Sequence, residues 1–353
     1  NESTNTDFHM AEKRHKNKRT TPAHTGSITI ESNTGMVIKN TGSNFGVLLT
    51  DGREIDCRIK GNFRLKGIRT TNPVAVGDNV DISINADGTA YITAIAPRRN
   101  YIIRRASNLS KEASILAANI DQACLIVTLA HPQTSTTFID RFLATAEAYR
   151  VPATIIINKT DLLDAGTPGC HPEDNDGNTA DCSEHELLDA ITYLYESIGY
   201  NVLHVSAKNG DGIARVQQLL QGKISLVSGN SGVGKSTLIN RLIPGLDLKT
   251  AEISDVHDTG MHTTTFSEMF PLPGRGWIID TPGVRGFGTI EFDRHEVGHF
   301  FPEIFKESAN CRYSDCTHTH EPSCAVLQAV RDHHIAQSRY NSYLSILSDS
   351  DDD

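Results

Sequence analysis

The chain has 353 residues, of which 38% are hydrophobic, and a net charge of −10, enough sequence for two or three packed domains. No run reaches the ~20 apolar residues that span a bilayer, because "ILAANIDQACLIVTLA" is interrupted by Asn119 and Asp121. The N-terminal stretch has charges but no apolar segment of the kind found in secretory signals, so a cytoplasmic protein with no membrane contact is expected.

The charge is unevenly placed. Residues 1–110 hold 16 Lys and Arg against 10 Asp and Glu, and the remainder holds 17 against 33. A basic first third on an acidic body suggests a segment that faces a polyanion; a merely solvated surface is the alternative. Residues 1–25, with Lys13, Arg14, Lys16, Lys18 and Arg19, read as a basic disordered arm.

From 26 to 105 the pattern is all-β. The runs "GMVIK", "FGVLLTDG", "IDCRIKG", "VGDNVDISINADG" and "AYITAIAP", with Asp51-Gly52 and Asp87-Gly88 as turns, predict five short strands closing into an OB-type barrel. Lys60, Arg64, Lys66 and Arg69 would supply phosphate contacts to RNA and Phe63 a stacking surface. The alternative is that Phe63 is core and the cations are edge residues.

Residues 106–298 alternate buried-type strands ("ACLIVTLA", "ATIIIN", "VLHVSA", "ISLVSG", "GWIID") with amphipathic stretches such as "FIDRFLATAEAYR" and "HELLDAITYLYESIGY". That is the signature of an α/β doubly wound parallel sheet with ligand loops at strand ends. The acidic insertion at 165–186 has no apolar periodicity and reads as a surface loop.

Four motifs in this region carry chemistry. The box "NKTD", Asn158, Lys159, Thr160 and Asp161, ends the second strand. Aspartate can accept from both N1–H and the 2-amino group of guanine, donors that adenine lacks at that edge. Asn158 could serve the other edge and Lys159 could lay its stem over the ring. "SAK", Ser206, Ala207 and Lys208, ends the next strand and would aim the Ala207 N–H at the guanine O6.

The third motif is a phosphate loop, with Gly229, Asn230, Ser231, Gly232, Val233, Gly234, Lys235, Ser236 and Thr237 lying between a strand and a helix. Its glycines let backbone N–H groups turn to phosphate, Lys235 neutralises β- and γ-oxygens, and Ser236 offers a hydroxyl to Mg²⁺. In the fourth, "DTPG", Asp280 would hold the metal's water shell and the Gly283 N–H would sense the γ-phosphate.

After residue 299 come a Cys/His cluster and then the run 325–347, which reads as a helix; 348–353 is an acidic tail. Cys311, Cys316, His318 and Cys324 form a Cys₃His set that suits tetrahedral Zn²⁺, with His320 as an alternative ligand. All four coordination positions are filled by protein, so a structural ion in a small, mainly helical domain (299–347) is expected.

The order NKTD, SAK, phosphate loop, "GMHTTT" (260–265) and DTPG resembles the circularly permuted GTPases. With the flanking barrel and the Cys/His tail it is similar to the RsgA family of small-subunit-dependent GTPases. The resemblance implies that GMHTTT is the first switch, with Thr264 reaching Mg²⁺ and Thr265 as the alternative. It places His318 at the zinc-ligand position.

Val284 stands where many GTPases have a water-orienting glutamine, so intrinsic turnover should be slow. His262 is the candidate replacement catalytic group beside Lys235 and Thr264, against a reading in which it packs or touches RNA. The implied partner is the small ribosomal subunit and its rRNA, the implied reaction GTP hydrolysis to GDP during late subunit maturation, and the expected state a monomer. The rivals are an RNA-binding scaffold whose nucleotide is structural, and a P-loop kinase.

Overall fold

The computed structural model describes residues 31–59, 73–105, 113–163, 184–248, 267–280 and 292–349. The five expected N-terminal strands are present: β1 (Glu31–Asn40), β2 (Phe45–Leu49), β3 (Glu54–Ile59), β4 (Asn79–Ile84) and β5 (Ala90–Ile95). β1 pairs antiparallel with both β2 and β4, β2 pairs with β3, and β5 joins β3 to β4, so the sheet closes on itself. Alternate residues such as Val37, Phe45, Val47, Ile82 and Ile92 fill the interior, as the pleat requires. At Gly35 a Cβ would lie 2.6 Å from the Leu48 carbonyl oxygen, so the close approach of β1 and β2 there requires glycine.

β1 does not end with the barrel. A bulge between Val37 and Lys39 bends it, and its last residues pair antiparallel with β12 (Ser267–Pro271), Lys39 opposite Glu268 and Asn40 opposite Ser267. Barrel and α/β sheet are thereby one eleven-stranded sheet.

Its α/β part contains β8 (Gln122–Val127), β9 (Ala153–Ile157), β10 (Asn201–His204), β11 (Ile224–Gly229) and β13 (Trp277–Asp280). These five run parallel in the order β10-β9-β8-β11-β13, and β12 lies antiparallel beside β13. The expected doubly wound parallel sheet is present, and β12 adds an antiparallel strand to it: "SEMFP" is short and ends in proline, too weak a period-2 signal to read from sequence.

Helices α1 (Thr136–Ala148) and α2 (Glu184–Ile198) cover one face, and α3 (Ile213–Leu220) and α4 (Lys235–Leu242) the other. A second small sheet, β6 (Tyr101–Arg105) with β7 (Ala113–Ala118), straddles residue 105 and was not anticipated from the sequence. Burial pushes the Cys57 thiol up to about 11 and Cys124 to about 12, so both act as small apolar core residues.

The C-terminal part holds α5 (Pro302–Ser308), α6 (Ala325–Arg331) and α7 (Gln337–Asp349). The run expected to be one helix is two: the backbone turns left-handed at His333 (φ 59°), where the N–H groups of His334 and Ile335 both reach the Ala329 carbonyl. α7 extends through Ser348 and Asp349, two residues into the stretch read as a tail.

This module packs on α1, whose Ala144 joins a core with Phe301, Ile304, Val326, Tyr343 and Ile346. Arg339 of α7, 1% exposed, donates to Asp140 of α1 at 2.7 Å and to both Glu303 oxygens at 2.6 and 3.1 Å. Tyr195 of α2 donates to the same Asp140 oxygen at 2.8 Å, and the guanidinium lies 4.6 Å over the Phe301 ring. Among the described residues no helix is long and apolar enough to cross a membrane.

Candidate nucleotide-binding site

In chain order the strands run outward from β8 to β9 and β10, then return to the other side of β8 with β11. Loops leaving the carboxyl ends on either side of that reversal diverge and leave a crevice, the usual ligand position in such sheets. The NKTD box, SAK and the phosphate loop all leave from these ends.

The phosphate loop joins β11 to α4. Gly232 (φ 83°) and Gly234 (φ 88°) take left-handed conformations, and Gly234 caps α4 without any side-chain hydrogen bond to the first-turn N–H groups. A helix start of that kind presents donors and positive potential to an anion. A Cβ on Gly229 would sit 2.7 Å from the Ile126 carbonyl oxygen, so this glycine lets the loop fold against β8.

Lys235 Nζ donates to Asp280 Oδ1 at 2.5 Å, and both side chains are about one-fifth exposed. Asp280 ends β13 directly beside Val227 of β11, so sheet register places the carboxylate beside the loop. Asp280 and Ser236 offer the hard oxygen donors that suit Mg²⁺.

On the base side, the backbone carries Asn158 inward and then turns left-handed at Lys159 (φ 63°). Asn158, 3% exposed, donates through Nδ2 to the Val233 carbonyl at 2.8 Å and accepts the Ala207 N–H through Oδ1 at 3.0 Å. It therefore staples three loops together.

Asn158 and Ala207, both expected at the guanine, are thus bonded to each other in the structure. Lys159 runs past Gly234, with Cε 3.9 Å from where a Cβ there would lie, and donates to the His131 carbonyl at 2.6 Å.

Asp161 accepts the Ser206 hydroxyl at 2.6 Å, and Ser206 in turn accepts the Asn209 N–H. The Asp161 carboxylate is thus held by Ser206 of SAK. Thr160 binds the Val205 carbonyl through N–H and hydroxyl, and Arg241 of α4 donates to the Lys208 carbonyl at 2.5 Å. Arg241 and the His131 carbonyl were missed from the sequence because neither lies in a motif. Lys60, Phe63, Arg64, Lys66 and Arg69, and likewise His262, Thr264, Thr265, Gly283 and Val284, lie outside the described residues.

The Cys/His cluster lies within the C-terminal module. Donor atoms of Cys311, Cys316, His318 and Cys324 all fall within 4.8 Å of one another. Cys311 Sγ to Cys324 Sγ is 3.9 Å, and His318 Nδ1 lies 3.6 and 3.5 Å from those sulfurs. Edges of a Zn–S/N tetrahedron are roughly 3.6–3.8 Å, so the donor set fits zinc.

The alternative ligand, His320, is exposed and bonded to Thr319 at 2.8 Å. His318 is oriented from behind: Tyr340 donates to its carbonyl at 2.7 Å, and Tyr343 to that of Thr317 at 2.6 Å. Cys324 also caps α6 by accepting the Leu327 N–H.

A family model described as RsgA GTPase matches residues 95–176 and 177–290, and one described as RsgA N-terminal domain matches 34–92. The small ribosomal subunit biogenesis GTPase RsgA of Bacteroides fragilis is 58% identical over 318 residues, which is 90% of this chain and 97% of the relative. Its namesake in Phocaeicola vulgatus is 59% identical with the same coverage. Among solved structures, YjeQ from Thermotoga maritima superposes with a TM-score of 0.70 at 30% identity, covering 91% of this chain and 99% of that one. YloQ, a circularly permuted GTPase, gives 0.67 at 28%, covering 94% and 98%. Permuted motif order, a closed barrel bonded to a GTPase sheet, and these likenesses together mean that the chain belongs to the RsgA family of GTPases.

Proposed function

We propose that this GTPase binds the small ribosomal subunit through rRNA, hydrolyses GTP to GDP and phosphate when the subunit stimulates it, and acts late in subunit maturation in the cytoplasm. The observation that carries the reading is the convergence of Asp161, Ser206 and the phosphate loop at one sheet edge, in a sheet that continues into the barrel. Names of the close relatives point to the same process.

In the proposed cycle Asp161 selects guanine by accepting two hydrogen bonds, with Ser206 fixing its orientation, and the Lys159 stem floors the base. Asn158 holds the base loops against Val233, so that base and phosphates are gripped in one frame. Backbone N–H groups from Gly229 to Thr237 hold the phosphates, and Lys235 exchanges Asp280 for the β- and γ-oxygens. Ser236, Asp280 and Thr264 would hold Mg²⁺, which supplies charge neutralisation on the phosphates. The Gly283 N–H senses the γ-phosphate, and His262 orients the attacking water.

Cys311, Cys316, His318 and Cys324 would hold a structural Zn²⁺, which would tie the loop 311–324 to α6 in the C-terminal module. Residues 60–69 of the barrel, through Lys60, Phe63, Arg64, Lys66 and Arg69, are the RNA contacts, and the protein works as a monomer. The domains are the arm (1–25), barrel (26–105), GTPase (106–298), zinc module (299–347) and tail (348–353).

GTP turnover compared without ribosomes, with purified small subunits and with purified large subunits tests the reading. A selective rise with small subunits is expected, and equal rates in all three overturn it.

A further inference from the structure

Four charged residues form a row across the sheet at the nucleotide end. Lys39 of β1 stands directly opposite Glu268 of β12, and Glu268 directly opposite Asp280 of β13. Residues directly opposite one another on paired strands project to the same face, so all three side chains share one side of the sheet. Lys39 Nζ donates to Glu268 Oε1 at 3.2 Å, with the side chains 47% and 45% exposed. Asp280 carries Lys235 at 2.5 Å. The row reads cation, anion, anion, cation, and runs from the barrel to the phosphate loop.

Two carboxylates directly opposite on neighbouring strands repel and cost stability. Here each has its own lysine, and the outer lysine comes from a different domain. The β1 bulge turns the strand immediately before Lys39, and Gly46, its neighbour on the other side, leaves its stem room: a Cβ there would lie 3.1 Å from the Lys39 Cβ. Two strand spacings separate Lys39 from Asp280, about 10 Å, a distance at which charges still interact at ordinary salt.

We propose that Lys39 and Glu268 are positioning residues that couple polyanion capture by the barrel to divalent-cation binding at Asp280. With the barrel free, Lys39 neutralises Glu268. A polyanion that draws Lys39 to its phosphates leaves Glu268 uncompensated beside Asp280, makes the site more negative, and tightens its hold on Mg²⁺ under the bound nucleotide. By linkage the metal-loaded nucleotide state then binds the polyanion more tightly. The inference rests on the reading of Asp280 as the metal carboxylate and of the barrel as the RNA domain.

The test is a Mg²⁺ titration of fluorescent GDP binding to the full chain, with and without purified small ribosomal subunits. For the unaltered protein the subunits should lower the Mg²⁺ midpoint by about two- to fivefold, the range expected of a half-exposed ion pair. Lys39→Met should show the lowered midpoint without subunits and little further shift with them. Glu268→Gln should raise the midpoint, and the double variant, which loses both charges, should return it to that of the unaltered protein without subunits and show no shift with them. The coupling is overturned if both single variants respond to subunits as the unaltered protein does. A failure of the underlying site assignment looks different: Asp280→Asn would leave the Mg²⁺ midpoint unmoved.

Discussion

Replacing Arg339 with methionine tests what fastens the zinc module to the GTPase core. Arg339 is 1% exposed and serves two carboxylates, Asp140 at 0% and the Glu303 side chain at 14%. Methionine fills similar volume but leaves Asp140 buried with a hydrogen bond from Tyr195 in place of the lost charge. Removing one partner from a buried ionic pair costs about 3–5 kcal/mol, a fifth or more of the roughly 5–15 kcal/mol that holds a domain folded.

Burial raises the Asp140 pKa above 3.8 even against the opposing charge of Arg339 and the hydrogen bonds from Arg339 and Tyr195. A carboxyl raised in the folded state contributes stability that is full below 3.8 and is lost as pH rises through the folded value. Deleting Arg339 removes a charge that lowers this pKa, so the variant's penalty should be smallest in acid and grow as pH rises above 3.8.

Urea unfolding supplies two readouts. The single tryptophan, Trp277, reports the GTPase sheet from β13, and zinc release to a chromophoric chelator reports the C-terminal module. The two transitions should separate in Arg339→Met, and the triple change Asp140→Leu, Glu303→Met, Arg339→Met should recover most of the loss. A pH-independent cost under about 1 kcal/mol with coincident transitions would refute the clamp.

Other expected outcomes are briefer. Lys235→Ala should weaken GTP by about 10- to 150-fold, the worth of a charge-assisted hydrogen bond, measured by fluorescent-nucleotide titration; unchanged affinity would count against the phosphate-loop assignment. Asp161→Asn should weaken GTP by about 10- to 100-fold and shift preference toward xanthosine triphosphate, whose C2 oxygen accepts from the new amide; competition binding decides it, and an unshifted ratio would remove Asp161 from the base edge. Cys316→Ser, or chelator treatment, should abolish one equivalent of zinc by elemental analysis and reduce the helical signal of α6 and α7; in chelated protein, added Zn²⁺ should restore it. Retention of the helical signal by metal-free protein would show that the ion is dispensable.

The motifs were legible in sequence because each is a short loop whose chemistry is nearly independent of what surrounds it. A phosphate loop needs glycines and a lysine at fixed spacing, and a zinc site needs its thiols and imidazole. Barrel strands with Asp-Gly turns and the parallel strands with their apolar runs were readable for the same local reason. β12 and the β6–β7 pair were not, since short edge strands acquire their identity from a partner far away in the chain. Nor was the break at His333, where a left-handed residue interrupts an otherwise helical composition.

Sequence alone determined which chemical groups the protein carries and, through motif order, that the GTPase core is permuted. Tertiary structure decided what those groups do for one another. Asn158 meets Val233 across 75 residues, Ser206 meets Asp161 across 45, and Arg339 meets Asp140 across 199. Lys39 and Glu268, 229 residues apart, belong to no motif. Such pairings depend on the packing of whole elements, because hydrogen bonds and charges act over a few ångströms in space regardless of distance along the chain.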